Sequence, residues 1–115
     1  MAGRKRSQEG GVVVLSTVAK PGQARRLART LLEERLCGCV SIVPAIRSLY
    51  WWKDRIEGSS ELLLLVKTTR GKLGALRRRL EELHPYDVPE LLTLTPSSIA
   101  PAYARWLAAS VRHRT

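Results

Sequence analysis

The sequence predicts an α+β domain in which one antiparallel sheet of four strands is covered on one face by helices. Three observations support this prediction. Short apolar or β-branched runs alternate with segments of helical periodicity, the two longer helical segments each fall between two predicted strands, and a turn-forming stretch joins the middle two strands directly. A length of 115 residues suits one domain with one core. We therefore expect a single domain over residues 11–112, preceded by a disordered basic tail over residues 1–10.

The first strand and the first helix have clear patterns. Residues 12–15 are apolar throughout and follow two glycines, which is typical of a strand buried on both faces. Over residues 21–36, leucines and alanines recur at helical intervals, and arginines occupy the opposite side. Pro21 suits the first turn of this amphipathic helix, and Gly38 is its expected stop.

A long hairpin is predicted next. Residues 39–52 are rich in β-branched and aromatic side chains, and they meet a second run, residues 56–69, across the turn-forming residues 53–55. Pro44 interrupts the first run. Because proline cannot donate a hydrogen bond to a neighbouring strand, we expect Pro44 at a sheet edge or a bulge.

The remaining elements complete the fold. Leucines recur at helical spacing over residues 73–83, and this helix should end at His84 because Pro85 follows it. Residues 91–94 read as a fourth strand, and the apolar positions of residues 103–111 indicate a short closing helix. The predicted order is β-α-β-β-α-β with an added C-terminal helix, which is the ferredoxin-like arrangement.

This pattern also predicts assembly. Residues 62–66 and 12–15 are apolar at both odd and even positions, yet two helices cover only one face of a sheet. The other face would be a larger apolar patch than soluble monomers usually expose, so a second copy of the sheet is its expected cover. Tyr50, Trp51 and Trp52 lie near the hairpin tip, far from the helices, which suits a hairpin that packs against a neighbouring subunit.

Composition limits the function classes. The longest apolar run, residues 62–66, has the length of a strand, so no membrane partner is expected. Cys37 and Cys39 are too close for an unstrained disulfide within one strand, which favours a reducing compartment and a soluble, cytoplasmic protein. The sequence contains no nucleophile elbow, no phosphate loop and no second histidine near His84, so we expect no enzyme.

The net charge of +10 is compatible with an anionic partner, such as a nucleic acid, an anionic ligand or an acidic protein. Arginines at positions 25, 26, 29, 77, 78 and 79 should lie on the solvent sides of the two main helices. The same element order builds the RNA-recognition fold, but the predicted central strands lack the aromatic side chains on which such modules stack bases. Nucleic acid is therefore not the expected partner, and nonspecific, salt-sensitive binding stays as an alternative.

Several ordered segments carry a family resemblance, and the octapeptide HPYDVPEL at residues 84–91 is the most specific of them. The others are VVLST at 13–17, LLEERL at 31–36, Cys39-Val40, SLY at 48–50 with Trp52, and ELLLLVK at 61–67. Together they resemble the CutA divalent-cation tolerance family. The resemblance implies a ferredoxin-like homotrimer whose sheets pack around the threefold axis, similar to the nitrogen-regulatory trimeric signal proteins. It also implies no established catalytic reaction, a role in divalent-cation tolerance and, in some members, copper binding.

The resemblance implies where copper would bind. In such members the proposed ligands are a thiol at the end of the first strand and two adjacent histidines before the Pro-Tyr pair. This chain has Ser16 and Leu83 at two of those positions and retains only His84. One imidazole alone is a poor site for a soft metal. His84 is thus the candidate ligand for copper or another divalent cation, and the alternative is a structural imidazole at a helix C-terminus.

A cleft between subunits is the second candidate site. Glu61 and Lys67 lie six residues apart on the predicted third strand and therefore point to one face. With Trp52, Tyr86 and Glu90 they are candidates to line a cleft for a metal ion or small ligand. The alternative is that Glu61 and Lys67 form interfacial ion pairs that fix the register of the trimer.

The sequence therefore predicts a non-enzymatic, homotrimeric binding or scaffold protein linked to divalent metal tolerance. Two alternatives stay open: a basic module that binds nucleic acid nonspecifically, and a regulatory trimer that senses a nucleotide or metabolite.

Overall fold

A computed structural model describes residues 10–112, which contain three helices and four strands. The elements are β1 (Gly11–Val18), α1 (Pro21–Glu33), β2 (Cys39–Trp52), β3 (Arg55–Thr69), α2 (Arg70–Leu83), β4 (Leu92–Leu94) and α3 (Pro101–Ser110). This order confirms the predicted α+β, ferredoxin-like class with an added C-terminal helix. Apart from Gly10, the predicted tail over residues 1–10 lies outside the described residues. Over residues 10–112, every helix is too short or too polar to cross a membrane.

The four strands form one antiparallel sheet in the order β2-β3-β1-β4. β1 is central and pairs with β3 along its whole length, from Gly11 opposite Thr69 to Val18 opposite Leu62. β4 is short and pairs only with residues 13–15 of β1. The last residues of β1 therefore have no β4 neighbour, and the segment that follows α2 approaches them instead.

β2 and β3 form a long hairpin with a two-residue turn. Lys53 and Asp54 both have positive φ, 51° and 62°, as in the type I′ turns that match the twist of paired strands. Pro44 lies in the predicted bulge, because the register between β2 and β3 shifts between Val43 and Ile46. The bulge is tolerated because β2 is an edge strand, where a missing N–H leaves no neighbour unpaired.

α1 ends earlier than predicted because Arg35 adopts a left-handed conformation with φ of 59°. The N–H of Arg35 donates to the carbonyl of Leu32, and that of Leu36 donates to the carbonyl of Leu31, both at 3.0 Å. This is the Schellman pattern, which usually places glycine where Arg35 lies. The Arg35 guanidinium also donates to the carbonyl of Ser110 at 2.9 Å, so a contact with α3 holds this helix end.

The prediction that Gly38 stops α1 is wrong, because Gly38 makes room for α3 instead. A Cβ atom at Gly38 would lie 2.8 Å from Leu107 Cδ1 and 3.2 Å from Ser110 Cβ. Gly11 also makes room at the start of β1, where a Cβ would lie 2.9 Å from Ile99 Cδ1 and 3.3 Å from Leu107 Cδ2 of α3. α3 thus approaches the sheet closely over two glycines, and Leu107 is buried there.

The core lies between the sheet and the helices α1 and α2. Alternate positions of β1 and β3, including Val14, Leu64 and Val66, are buried against leucines of both helices, among them Leu31 and Leu76. The opposite side of the sheet is not covered by these helices. We call it the open face. Its apolar residues are Val13, Leu15, Val43, Leu63, Leu65, Leu92 and Leu94, and Ser41 and Lys67 lie on the same face.

Candidate functional site

His84 caps the C-terminus of α2 and directs its ring toward the end of β1. Nε2 lies 2.9 Å from the Thr17 carbonyl oxygen and 3.1 Å from Ser16 Oγ. Nδ1 accepts the backbone N–H of Tyr86 at 3.1 Å. Because Nδ1 is an acceptor, Nε2 carries the proton of the neutral ring and donates it to Thr17. Both ring nitrogens are therefore engaged within the subunit.

The protonation state of His84 follows from this environment. Burial lowers the pKa of His84 below its usual 6.5, while the hydrogen bond to Thr17 and the charge of Glu61 act in the opposite direction. The net shift is downward, so the imidazole is neutral at pH 7. A neutral ring matches the hydrogen bonds, since imidazolium would have no lone pair for the Tyr86 N–H.

Glu61 and Tyr86 extend this arrangement toward β3. The Tyr86 hydroxyl donates to Glu61 Oε2 at 2.7 Å, and Glu61 is only 7% exposed. Burial is the main cause that raises the pKa of Tyr86 well above its usual range, and the hydrogen bond to the Glu61 carboxylate raises it further. The rings of Tyr86 and His84 lie with centroids 4.9 Å apart. Ser16, Glu61, His84 and Tyr86 therefore form one connected group, which we call the polar cluster.

Lys67 lies at the other end of β3, away from the polar cluster. Its ammonium donates to Ser41 Oγ and lies 3.6 Å from Cys39 Sγ. Six residues of strand, at about 3.3 Å each, separate it from Glu61 by roughly 20 Å. Within residues 10–112, Lys67 forms no ion pair with a carboxylate. A single subunit thus keeps Glu61 and Lys67 apart.

Trp52 and Glu90 occupy two further places. Trp52 lies beside the hairpin turn, opposite Arg55, and is 49% exposed. Glu90 is exposed in the segment between α2 and β4. Of the five predicted cleft residues, the subunit brings together Glu61 and Tyr86, while the other three lie at separate positions. Whether all five meet between subunits stays a prediction.

The residues present in one subunit do not fit a copper centre. Ser16 Oγ lies beside His84, so two positions that the family resemblance implies for ligands do meet. This chain fills them with a hydroxyl and an imidazole whose nitrogens already have partners, and the half-buried Leu83 adds only an alkyl group. Soft copper ligands are thiolates and free imidazoles. Over the described range, no three His, Cys, Asp or Glu side chains are grouped to hold a metal ion.

Sequence reasoning missed the structural role of Ser16, which it considered only as the replacement of a thiol. Ser16 is fully buried, and its hydroxyl lies within hydrogen-bond distance of His84. A signal was present in the sequence, because Ser16 and Thr17 follow an apolar strand and buried hydroxyl groups need partners. No local pattern indicated that His84 would be that partner.

The arginines of α1 and α2 form the expected basic surface. Arg25, Arg26, Arg29, Arg77 and Arg78 are exposed. Within residues 10–112, three ion pairs offset part of the arginine charge: Arg29 with Glu33 at 3.3 Å, Arg79 with Glu34 at 2.9 Å, and Arg79 with Glu82 at 3.5 Å. This surface lies on the helix side of the sheet, opposite the open face.

Comparison with known proteins relates the chain to one family. A family model described as CutA1 divalent ion tolerance protein matches residues 12–110. A divalent-cation tolerance protein CutA from Pectobacterium atrosepticum is 45% identical over 101 residues, which cover 88% of this chain and 92% of that protein. The solved structure of the divalent cation tolerance protein from Thermus thermophilus is 44% identical, with a TM-score of 0.81, and covers 84% of this chain and 94% of its own. CutA from Xylella fastidiosa is 33% identical, with a TM-score of 0.86, and covers 89% and 98%.

Proposed function

The chain belongs to the CutA1 divalent ion tolerance family, and from this premise we propose that it acts as a homotrimeric binding protein in the response to divalent metal ions. The proposed unit is one domain over residues 11–112. Its relatives are named for tolerance rather than for a reaction, so the proposed role is binding and not catalysis. The observation that carries the proposal is the open face of the sheet.

The open face favours association with further copies of the same chain. Its residues come from all four strands, and Val43, Leu92 and Leu94 are 41%, 53% and 51% exposed. Apolar area of this extent is unfavourable in water, and burying it contributes about 25 cal/mol per Å². A second sheet with the same face is a complementary cover, and closed symmetry gives every copy that cover.

The hairpin supports the same assembly. The subunit is elongated, with extents of 50 × 29 × 22 Å. Near the hairpin turn, Leu49, Trp51 and Ile56 are 72%, 72% and 66% exposed. Large apolar side chains at such a position are typical of interface anchors. We infer that the hairpin packs against a neighbouring subunit.

The proposed ligand site is the cleft that this packing forms between subunits. Glu61 is a buried carboxylate whose hydrogen bond comes from a neutral phenol, and Lys67 is a partly buried ammonium with neutral partners. A buried charge is stabilised by an opposite charge. In the trimer, Trp52, Lys67 and Glu90 of one subunit would face Glu61 and Tyr86 of the next, around a metal ion or a small anion. In the alternative, Glu61 and Lys67 pair directly and leave no ligand site.

The assembly is tested by size-exclusion chromatography with light scattering at low and high salt. We expect a trimeric mass at both, because apolar association is not screened by salt. A stable monomer at micromolar concentration would contradict the proposal. Lys67→Met then distinguishes the two versions of the cleft. If Lys67 pairs directly with Glu61, the variant trimer should be less stable than the wild type. If the cleft is instead a ligand site without ligand, the variant trimer should have unchanged or higher stability.

Metal binding is tested by titrating copper and zinc against the wild type and His84→Ala. Since Ser16 and Leu83 supply no ligands beside His84, we expect His84→Ala to bind copper and zinc as the wild type does. Ser16→Cys combined with Leu83→His would supply the missing thiol and imidazole, and we expect this variant to gain copper affinity. Tight copper binding by the wild type that is lost in His84→Ala would instead establish His84 as a ligand.

The proposed compartment is the cytoplasm. Cys37 and Cys39 are both free thiols. Burial raises the pKa of Cys37 to about 12, with a smaller contribution from Cys39, so Cys37 stays a protonated and unreactive thiol. Unpaired cysteines of this kind are typical of reducing compartments. Fractionation of the source cells, followed by detection of the protein, tests the assignment.

A further inference from the structure

Three nucleophilic side chains meet where β2 begins. Cys39 is the first residue of β2 and lies directly opposite Lys67 of β3, and Ser41 is the next residue of β2 on the same face. The Lys67 ammonium lies 3.6 Å from Cys39 Sγ and donates to Ser41 Oγ, and this oxygen is 4.0 Å from the same sulfur. All three residues are half-buried. A thiol and an amine are therefore in contact with each other.

The sheet holds this thiol and this amine together. Directly opposite residues of an antiparallel pair have neighbouring side chains. At Lys67, β3 lies between two strands, because Lys67 pairs with Cys39 on one side and with Val13 of β1 on the other. The N–H of Gly38 also donates to the Lys67 carbonyl at 2.9 Å, which fixes the chain just before Cys39. The contact thus follows from the register of the sheet and not from a loop.

A thiol beside an amine can pass an acyl group from sulfur to nitrogen. A thiolate reacts with an activated acyl compound, and a nearby amine attacks the resulting thioester to give a stable amide. Because the amine and the thioester belong to one chain, the second step is intramolecular, which raises its rate. With Nζ 3.6 Å from Sγ, a carbonyl carbon bonded to Sγ can lie within about 3–3.5 Å of Nζ, the distance from which such an attack proceeds.

Cys39 suits this reaction better than Cys37 does. Cys37 is 1% exposed, and burial raises its pKa to about 12, so its thiol stays protonated in the core. Cys39 retains part of its surface in the edge strand β2. Within residues 10–112, Lys67 forms no ion pair, so no carboxylate holds its nitrogen away from Cys39.

We propose that Lys67 is an acylation site that is served by Cys39, with small acyl thioesters as donors. In the first step, the Cys39 thiolate adds to the carbonyl carbon of the donor, the carbon–sulfur bond of the donor breaks, and the departing thiolate takes up a proton from water. Lys67 then loses a proton to solvent, and its neutral amine attacks the Cys39 thioester. The carbon–nitrogen bond forms as the bond to Sγ breaks, and the amine proton passes to Sγ. Cys39 is regenerated, and the step consumes no oxidant.

Acylation removes the positive charge of Lys67 from the open face. An acylated lysine no longer forms ion pairs. In the proposed cleft Lys67 faces Glu61 of the next subunit, so the modified chain would lose either the direct ion pair or the site for a small anion. This consequence rests on the proposed function, whereas the transfer rests only on the contact between Cys39 and Lys67.

The transfer is tested by incubating the full chain with S-acetyl-N-acetylcysteamine, a small acetyl thioester, and following acetylation of each lysine by peptide mass spectrometry. Lys20 and Lys53 are exposed and serve as internal controls. We expect Lys67 to be acetylated faster than either control, although it is less exposed. In Cys39→Ser the rate at Lys67 should fall about tenfold or more, below that of both controls. Equal rates at Lys67 in the wild type and in Cys39→Ser would overturn the proposal.

Two matched variants keep the test specific to Cys39. Cys37→Ala removes the other thiol, and Ser41→Ala removes the hydroxyl that contacts Lys67; both should retain rapid acetylation of Lys67. Thermal unfolding reports whether each variant is folded. A folded Cys37→Ala that loses acetylation as fully as Cys39→Ser would contradict transfer through Cys39. In the native wild type, iodoacetamide should label Cys39 and not Cys37, and failure to label Cys39 would also overturn the proposal.

Light scattering on the same samples distinguishes this result from the fate of the trimer. A monomeric protein that still shows Cys39-dependent acetylation would support the acylation site and contradict the proposed assembly. A trimer in which Lys67 is acetylated no faster than Lys20 and Lys53 would overturn the acylation site and leave the assembly intact.

Discussion

The polar cluster and the open face differ in how complete each is within one subunit. In the polar cluster both nitrogens of His84 have partners, and Tyr86 donates to Glu61. On the open face, leucines and valines of all four strands have no cover from the rest of residues 10–112, and in that range the ammonium of Lys67 has only neutral partners. The comparison indicates that the cluster stabilises the subunit, whereas the open face is the surface that we propose other copies cover.

The largest expected effect comes from a charge in the middle of the open face. Leu65 lies between Ser41 of β2 and Leu15 of β1, so Leu65→Glu would place a carboxylate in the proposed interface. Burying an unpaired charge costs several kcal/mol, so we expect the trimer to dissociate. Light scattering measures the mass.

The matched control for this variant is Leu32→Glu. Leu32 is also a partly exposed leucine, at 38%, but it belongs to α1 on the helix side. We expect Leu32→Glu to remain trimeric with stability changed by about 0.5 kcal/mol or less. Dissociation of both variants, or of neither, would mean that the open face is not the interface.

An intermediate effect is expected inside the polar cluster. Tyr86→Phe removes the hydroxyl that donates to the buried carboxylate of Glu61. A buried acceptor left without its donor costs about 1–3 kcal/mol, so the free energy of unfolding should fall by that amount. Chemical denaturation measures the change.

Tyr103→Phe is the control for this loss. Tyr103 packs on Trp106 with ring centroids 5.5 Å apart, is 39% exposed, and its hydroxyl forms no hydrogen bond within residues 10–112. Its substitution should change stability by less than about 0.5 kcal/mol. If the two variants lose equal stability, the hydrogen bond to Glu61 contributes nothing specific.

The smallest effect is a dependence of stability on pH that originates in His84. Burial lowers the folded-state pKa of His84 below 6.5, so between pH 6.5 and that lower value the unfolded chain binds a proton that the folded chain does not. The free energy of unfolding should therefore decrease as pH falls through this window, by at most about 1.4 kcal/mol per pH unit. Above pH 6.5 the contribution of His84 should be constant.

Denaturation at a series of pH values tests this expectation. His84→Gln should remove the decrease below pH 6.5, whereas substitution of the other histidine, His113→Gln, should preserve it. A decrease that persists unchanged in His84→Gln would assign the pH dependence to other groups and would contradict the proposed role of His84.

Much of the fold could be predicted because its signals are local. The two-residue turn at Lys53 and Asp54 and the bulge at Pro44 depend on residues adjacent in the chain. The end of α1 could not be predicted in this way. Arg35 takes a position that favours glycine, and its guanidinium is held by Ser110, which lies 75 residues further along the chain.

The candidate site also combines features that the sequence predicts with contacts that only the fold determines. Composition at odd and even strand positions was enough to predict a sheet with two apolar faces, because side chains alternate along any strand. Only the tertiary structure decided that Ser16 meets His84, that Glu61 meets Tyr86, and that Lys67 stays apart. These contacts depend on the short β4, which leaves the end of β1 free for the segment after α2. Such contacts join residues distant in sequence, and no local pattern specifies which of them the folded chain brings together.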